Sequence, residues 1–259
     1  MRVMSWNVNS VNARNDRVAA LLDRWNPDIL LLQELKCMEE KFPFSTFSER
    51  GYKCYTHGQK TYNGVAIISK DDLFDIKKGF STGYEDPHSR LISATIEDLK
   101  LRVYSAYIPN GKALDSDAYQ YKLHWLKELE KQIQSDREAG FQILIGGDFN
   151  VAPTDREVHD PKEWENQILC SPPERACFQR LLDLPLLDSF RLHSHEPEFS
   201  WWDYRGLSFP LNRGLRIDFI LLSPNIAEVC QHAWIDREER KGEKPSDHAP
   251  VVCELFGDD

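Results

Sequence analysis

Short apolar runs recur along the whole chain, and their composition predicts β-strands. The runs are rich in Val and Ile and end near Gly, Pro or Asn, as strands do. We predict strands over residues 2–8, 28–35, 65–70, 91–96, 101–108, 142–147, 217–223 and 250–256.

Other segments between these runs carry apolar residues at helical spacing, which predicts amphipathic helices. The first such segment has its apolar positions at Val18, Leu21, Leu22 and Trp25. We predict helices over residues 14–25, 117–137 and 173–182. Asn12 or Asn15 is the expected N-cap of the first helix, and Ser116 is that of the second.

The alternation of strands and helices predicts the α/β class, with two sheets flanked by helices. The chain of 259 residues is long enough to bury a full hydrophobic core. No Gly/Ser-rich linker and no change of composition marks a boundary, so residues 1–259 are interpreted as one domain. The frequent apolar runs exclude intrinsic disorder.

The net charge of −10 is an obstacle to any function that involves nucleic acid. Phosphate contacts normally need a basic surface on the protein. A local basic patch would remove the obstacle, and so would divalent cations bound to a carboxylate-rich site.

Several features of the sequence bear on cellular location, and they favour the cytoplasm. No apolar stretch approaches the ~20 residues of a membrane-spanning helix, and the N-terminus lacks the apolar core of a signal peptide. The six cysteines include no Cys-x-x-Cys pair, which argues against a zinc cluster. We therefore expect a cytoplasmic protein with reduced thiols and no membrane association.

Carboxylates and amides stand where several predicted strands end. Asn7 lies at the end of the first strand and Glu34 at the end of the second, while Asp148 and Asn150 follow strand 142–147. Turns also favour Asp and Asn, but Glu34 is not a turn former. Because Asp148 and Asn150 are two positions apart, both side chains point the same way if the segment is extended. Neighbouring strands would thus present oxygen ligands that suit Mg²⁺ or Mn²⁺.

An acid and an imidazole stand side by side in the segment 245–250, which reads PSDHAP. The two prolines fix the backbone and exclude a helix, as in a rigid loop at a site. Asp218 is the one charge in an apolar strand, and a buried carboxylate needs a partner. We predict that this partner is His248. The alternatives are a solvated His248 in a surface turn and an Asp218 that faces water, and His193 and His195 are interpreted as surface residues.

The aromatic segment 199–205 reads FSWWDYR and is followed by Arg213 and Arg216. Aromatic rings interleaved with arginine suit the stacking of bases beside phosphates. Packing in the core is the commoner reason for a Trp in a strand, so this segment alone does not decide.

Motifs spread over nearly the whole chain carry a resemblance to one family. They are WNVNSVNAR at 6–14, PDILLLQELK at 27–36, HGQKTYNGVAI at 57–67, GDFNVAPTD at 147–155, SWWDYR at 200–205, NRGLRID at 212–218 and PSDHAP at 245–250. In this order and spacing they resemble the bacterial exodeoxyribonuclease III and abasic-site endonuclease family, within the endonuclease/exonuclease/phosphatase superfamily.

The resemblance implies a four-layer α/β sandwich and a role for each matched residue. It implies metal ligands at Asn7, Glu34, Asp148, Asn150 and Asp247, with Glu34 as the principal ligand. It implies catalytic roles for Tyr107, Asp148, Asn150, Asp218 and His248. It implies DNA contacts for Asn110, Trp201 and His248. In this scheme Asp148 orients and deprotonates the attacking water, Asn150 steadies the transition state, and Tyr107 lies near the phosphate or the leaving oxygen.

The implied function is Mg²⁺-dependent hydrolysis of phosphodiesters in duplex DNA, with Mn²⁺ as a substitute. The expected activities are 3′→5′ exonuclease, cleavage at abasic sites and processing of damaged or recessed 3′ ends, by a monomer. Segment 154–175 matches the family least, which leaves the balance of these activities open. Hydrolysis of a small phosphoester is the first alternative, and a non-catalytic nucleic-acid-binding module is the second.

Overall fold

Strands and helices alternate through residues 1–256, the part of the chain that this computed structural model describes. The strands are β1 (Arg2–Asn7), β2 (Ile29–Gln33), β3 (Lys53–His57), β4 (Val65–Ser69), β5 (Phe74–Lys78), β6 (Leu91–Ile96), β7 (Leu101–Tyr107), β8 (Gln142–Asp148), β9 (Leu187–Asp188), β10 (Asp218–Leu222), β11 (Cys230–Ile235) and β12 (Val251–Leu255). The α-helices are α1 (Asn15–Trp25), α2 (Phe44–Ser48), α3 (Asp117–Glu138), α4 (Pro172–Leu182), α5 (Ser189–His193) and α6 (Pro224–Ala227).

All the predicted strands and helices are present, but one predicted cap is wrong. Ser116 accepts a hydrogen bond from the backbone N–H of Tyr119 and caps α3. Arg14 occupies the N-cap position of α1, and its side chain forms no capping hydrogen bond. Asn12 and Asn15 are engaged elsewhere, because they bind the Lys41 carbonyl and the Thr46 hydroxyl.

The strands form two mixed sheets of six strands each. The first has the order β11-β12-β1-β2-β4-β3 and the second β5-β6-β7-β8-β10-β9. Their inner faces pack together through side chains such as Leu31 and Leu144, both fully buried. Leu21 of α1 packs on the outer face of the first sheet, and Leu129 of α3 packs on that of the second. The predicted four-layer sandwich is confirmed, while the extent of the domain over 1–259 stays a prediction.

A glycine lets the two sheets approach each other near the end of β8. A Cβ added to Gly146 would lie 2.5 Å from Leu31 Cδ1 of the opposite sheet, far closer than side chains can pack. Because β1 runs parallel to β2, and β7 parallel to β8, these strands end at one edge of the sandwich. Antiparallel β10 begins at that edge, with Asp218 opposite Asp148.

Two further features concern the cysteines and the length of the helices. All six cysteines are free thiols, and five of them are buried. Within residues 1–256, no helix combines the length and the apolar character that crossing a membrane requires.

Candidate active site

Asn7 joins the two sheets at their common edge. Its side-chain amide donates to Glu34 Oε1 and to Asp148 Oδ2, both at 2.9 Å. Glu34 follows β2 in the first sheet, whereas Asp148 ends β8 in the second. One fully buried amide therefore holds two carboxylates from different sheets side by side.

Glu34 occupies a backbone conformation that is unusual for a residue other than glycine. Its φ is +54°, in the left-handed region, and its carbonyl accepts a hydrogen bond from Ser10 N. Its other carboxylate oxygen, Oε2, lies 2.8 Å from Lys36 Nζ. The surrounding backbone thus turns the Glu34 side chain toward Asn7, where an ordinary strand residue would continue along the sheet.

Asp148 is fully buried among charged groups. Burial raises the pKa of its carboxyl to about 7, against the opposing charge of His248 and with support from the nearby carboxylates Asp218 and Glu34. Oδ1 accepts a hydrogen bond from Asn150 N at 2.9 Å. A carboxylate with a pKa near neutrality is suited to accept a proton in general base catalysis.

Asp218 and His248 form the ion pair that the sequence predicted. Nδ1 of His248 lies 2.9 Å from Asp218 Oδ2, which also accepts a hydrogen bond from Ser200 Oγ at 2.6 Å. Burial disfavours the charged form of the imidazole and by itself would lower the pKa of His248. The negative charges of Asp218 and Asp148 outweigh the effect of burial and raise this pKa to about 10. His248 is therefore a cation at neutral pH. Its Nε2 is 3.7 Å from Asp148 Oδ2, too far for a hydrogen bond, so this N–H is available to a substrate oxygen.

Asn150 lies beyond the end of β8, in a left-handed backbone conformation. β8 ends at Asp148 and Asn150 has a φ of +50°, so the segment is not extended there and the condition for parallel Asp148 and Asn150 side chains is not met. The Asn150 side chain donates to the Ile108 carbonyl at 3.0 Å and accepts from Asn110 Nδ2 at 3.1 Å. These bonds join the loop after β7 to the loop after β8.

A buried ion pair beneath these loops was missed by the sequence interpretation. Lys122 of α3 and Glu174 of α4 are fully buried and bind each other. Lys122 Nζ also donates to the Asn150 carbonyl at 2.6 Å and to the Asn110 carbonyl at 3.1 Å. The available signal was the spacing, because Lys122 lies three positions after Tyr119 and four before Leu126, on the same face of the predicted helix. The pair fixes the backbone of both loops from below.

Tyr107 ends β7 beside the carboxylates. Burial raises the pKa of its hydroxyl well above the usual value, and the charges of Glu34 and Asp148 raise it further. The Arg90 guanidinium stacks over the ring, 4.6 Å from its centroid, and donates to the Tyr107 carbonyl at 3.1 Å. Tyr107 is thus a neutral hydroxyl held at the edge of the site.

Asp247 and Trp201 are hydrogen-bonded to each other on the other side of His248. Trp201 Nε1 donates to Asp247 Oδ2 at 3.1 Å, and Asn9 Nδ2 donates to Oδ1 at 2.9 Å. Trp201 remains half-exposed, whereas Trp202 is fully buried in the core. One indole of the aromatic segment therefore packs in the core, as the commoner interpretation has it, while its neighbour binds Asp247; the stacking of DNA bases on the segment stays a prediction.

The acidic cluster has a donor set that fits a hard divalent cation. Ligand atoms of Glu34, Asp148 and His248 lie within 4.8 Å of one another. Because His248 is protonated, the two carboxylates are the available ligands, and carboxylate oxygen suits Mg²⁺. Asn7 directs its nitrogen at both carboxylates, so its amide would have to rotate to ligate through oxygen. The ligand roles of Asn7, Asn150 and Asp247 stay predictions.

A cleft of about 500 Å³ opens beside Glu34 and Tyr107. Three cationic side chains line it, namely Lys36, Arg90 and Lys112, together with Asn110 and the exposed ring of Tyr62. Glu34 is the one carboxylate in its lining. The cleft thus provides a local basic patch on a chain of net charge −10.

The fold, the carboxylate cluster and the Asp–His pair define a metal-assisted hydrolase, and comparison with known proteins gives its family. The model of the endonuclease/exonuclease/phosphatase family matches residues 4–248. The chain therefore belongs to the endonuclease/exonuclease/phosphatase family.

Individual relatives are similar over almost their full length. Exodeoxyribonuclease III from Haemophilus influenzae is 37% identical over 98% of this chain and 100% of that protein. The 3′ phosphatase NExo from Neisseria, solved with a product DNA hairpin, has a TM-score of 0.95 and 43% identity, over 99% of this chain and 100% of that one. An AP endonuclease from Archaeoglobus fulgidus has a TM-score of 0.93 and 35% identity, over 98% and 99%. The resemblance inferred from the motifs is confirmed.

Proposed function

We propose that this chain is a Mg²⁺-dependent phosphodiesterase that repairs damaged duplex DNA. Similarity to exodeoxyribonuclease III and to an AP endonuclease supports a DNA-hydrolysing nuclease. Similarity to a 3′ phosphatase bound to a DNA hairpin supports hydrolysis at the 3′ ends of DNA. The proposed activities are 3′→5′ exonuclease, cleavage at abasic sites and 3′-end processing, by a cytoplasmic monomer.

One observation carries the proposal, namely the balance of charge at the edge of the two sheets. Four carboxylates meet there, on Glu34, Asp148, Asp218 and Asp247. Among the described residues, Lys36 and the protonated His248 contact these carboxylates directly. The carboxylates outnumber these two cations, and the excess of negative charge favours a divalent cation, Mg²⁺ with Mn²⁺ as a substitute.

Glu34 and Asp148 would hold the ion, which supplies charge neutralisation at the phosphate. Asp148 orients the attacking water and accepts its proton, for which a pKa near 7 is suited. Protonated His248 donates its free Nε2–H to a phosphate oxygen, while Asp218 fixes its ring. The bond from phosphorus to the 3′ oxygen breaks as the bond to the attacking water oxygen forms, and Tyr107 and Asn150 contribute neutral donors at the phosphate and the departing oxygen.

A nuclease assay on defined DNA tests the function. The substrates are a duplex with an abasic-site analogue, a duplex with a recessed 3′ end and one with a 3′-phosphate, each with Mg²⁺ and with EDTA. A soluble phosphomonoester serves as the competing substrate. We expect cleavage of DNA only with Mg²⁺. Preference for the phosphomonoester would instead support the small-phosphoester alternative, and no turnover of either would support the non-catalytic module.

The variant Glu34→Ala tests the metal site. Loss of charge stabilisation of this kind costs several kcal/mol, so we expect turnover to fall by roughly two to three orders of magnitude. Glu97→Ala is the matched control, since Glu97 is exposed and precedes β7 at the end opposite Tyr107. Mg²⁺ should also raise the melting temperature of the parent protein but not that of Glu34→Ala. Near-normal rates in saturating Mg²⁺ would remove Glu34 from the ligand set.

A further inference from the structure

A second cleft, of about 630 Å³, lies away from the residues of the active site. It is bordered by α4, by the segment from β9 to α5 and by the turn Asp155–Glu157. Its floor is apolar and consists of Phe178, Leu182, Leu186, Leu187 and Leu192. Leu192 is 39% exposed, and Leu182 and Leu187 are half-buried, so apolar surface is open to solvent there.

The walls of this cleft carry more positive than negative charge. Four arginines line it, with two carboxylates. Arg191 and Arg216 both bind Glu157, at 2.5 and 2.8 Å, and Arg216 also binds Asp188 at 2.6 Å. This largely buried network engages both carboxylates of the lining and keeps the back wall rigid.

The two remaining arginines stand at the rim. The Arg156 side chain is exposed and forms no ion pair within residues 1–256. Arg175 binds Asp155 at 2.9 Å, but the Asp155 side chain is 69% exposed, and exposed pairs of this kind are weak. An incoming carboxylate can therefore bind Arg156 and replace Asp155 at Arg175 at little cost.

We propose that this cleft binds an acidic peptide segment of a partner protein, which inserts a large apolar side chain onto the leucine floor. The charge of the lining carries this choice, because its four arginines outnumber its two carboxylates and so favour acidic over basic segments. Duplex DNA fits less well. Its phosphates would suit the arginines, but the floor is mostly leucine, and its aromatic ring, Phe178, is buried and cannot stack on a base.

Peptide binding measured by fluorescence anisotropy tests the proposal. The probes are labelled hexapeptides of Asp and Glu with one Phe, Leu or Trp, compared with the same set in which Lys and Arg replace the acids. A third set replaces the apolar residue by Ser. We expect saturable binding of the acidic apolar set alone. Equal binding of all three sets, or of none, would overturn the proposal.

Two variants locate the binding. Arg156→Glu at the rim and Leu192→Asp on the floor should each weaken peptide binding at least tenfold. Both residues are exposed, so the fold is expected to tolerate the changes. Lys127→Glu, exposed on α3, makes the same change of charge elsewhere and should leave binding unaltered. If Arg156→Glu instead weakened binding of duplex DNA as much as that of the peptide, the cleft would belong to the DNA surface. The test is independent of nuclease activity.

Discussion

Replacing Lys122 by Met tests whether this buried lysine only stabilises the fold or also positions residues of the active site. The change leaves the Glu174 carboxylate buried with only its remaining donors, Ser171 and the Leu169 N–H. It also removes the donor from the carbonyls of Asn110 and Asn150. Removing one partner of a buried ion pair costs about 3–5 kcal/mol.

A loss of this size should leave the protein folded but lower its melting temperature. A domain of this length has about 5–15 kcal/mol of stability, and 1 kcal/mol corresponds to about 2–4 °C. The melting temperature of Lys122→Met should therefore fall by roughly 6–20 °C. We expect kcat on a recessed 3′ end to fall about ten- to a hundredfold with little change in KM, because Asn150 is no longer held in place at the reacting phosphate.

The double variant Lys122→Met/Glu174→Gln gives the decisive comparison. The introduced glutamine side chain would carry no charge and can still accept from Ser171, so much of the lost stability should return. The kcat should stay low, since the two loop carbonyls still lack their donor. Tyr104→Phe, which removes a hydrogen bond to Asp136 of α3 away from the site, should lower stability alone. Recovery of kcat together with stability would show that the pair has only a structural role.

Three further measurements follow from the charges. Asp218→Asn removes a carboxylate that raises the pKa of His248 to about 10, so the alkaline limit of activity should move to lower pH, and an unchanged pH profile would contradict the pairing. Burial by itself would raise the pKa of Glu157. The charge and hydrogen bond of Arg216 outweigh burial, so the pKa lies below the usual 4.5. Glu157→Gln should therefore lower the melting temperature at pH 7, and the two proteins should converge as the pH falls below 4.5 and on through the lowered pKa of the folded state. Convergence at neutral pH instead would contradict this assignment. Three cations line the cleft beside Glu34, so a plot of the logarithm of DNA affinity against the logarithm of salt concentration should have a slope of roughly −3. A slope steeper than about −5 would require a wider basic surface.

The strands that the sequence did not reveal are those at the edges of the sheets. β3, β5, β9 and β11 are the four edge strands, whereas every predicted strand lies inside a sheet. A central strand is buried on both faces and appears as a run of Val, Ile and Leu. β5 is mostly exposed and reads FDIKK, so its composition carries no such signal. The sheet interior could be predicted from apolar runs, but its edges could not.

The site shows a similar division. Asp218 and His248 could be paired from sequence because a charge in an apolar strand needs a partner and few candidates exist. The placement of Asn150 could not be predicted, since it depends on a left-handed backbone that pattern analysis treats as extended. Lys122 was hidden because burial of a lysine depends on Glu174, 52 positions further along the chain. Interactions across helices are set by packing, which periodicity does not encode.

The net charge of −10 misleads about DNA because binding responds to charges nearby rather than to their sum over the chain. At physiological salt, exposed charges are screened beyond about 8 Å. In its lining, the cleft beside the site presents the three cations Lys36, Arg90 and Lys112, with Glu34 as its carboxylate. The carboxylates of the site itself are the part of the negative charge that serves hydrolysis, since they provide the ligands for a divalent cation. Acidic composition and phosphate chemistry are therefore compatible here, because the same carboxylates that make the chain acidic would bind the ion that neutralises the phosphate.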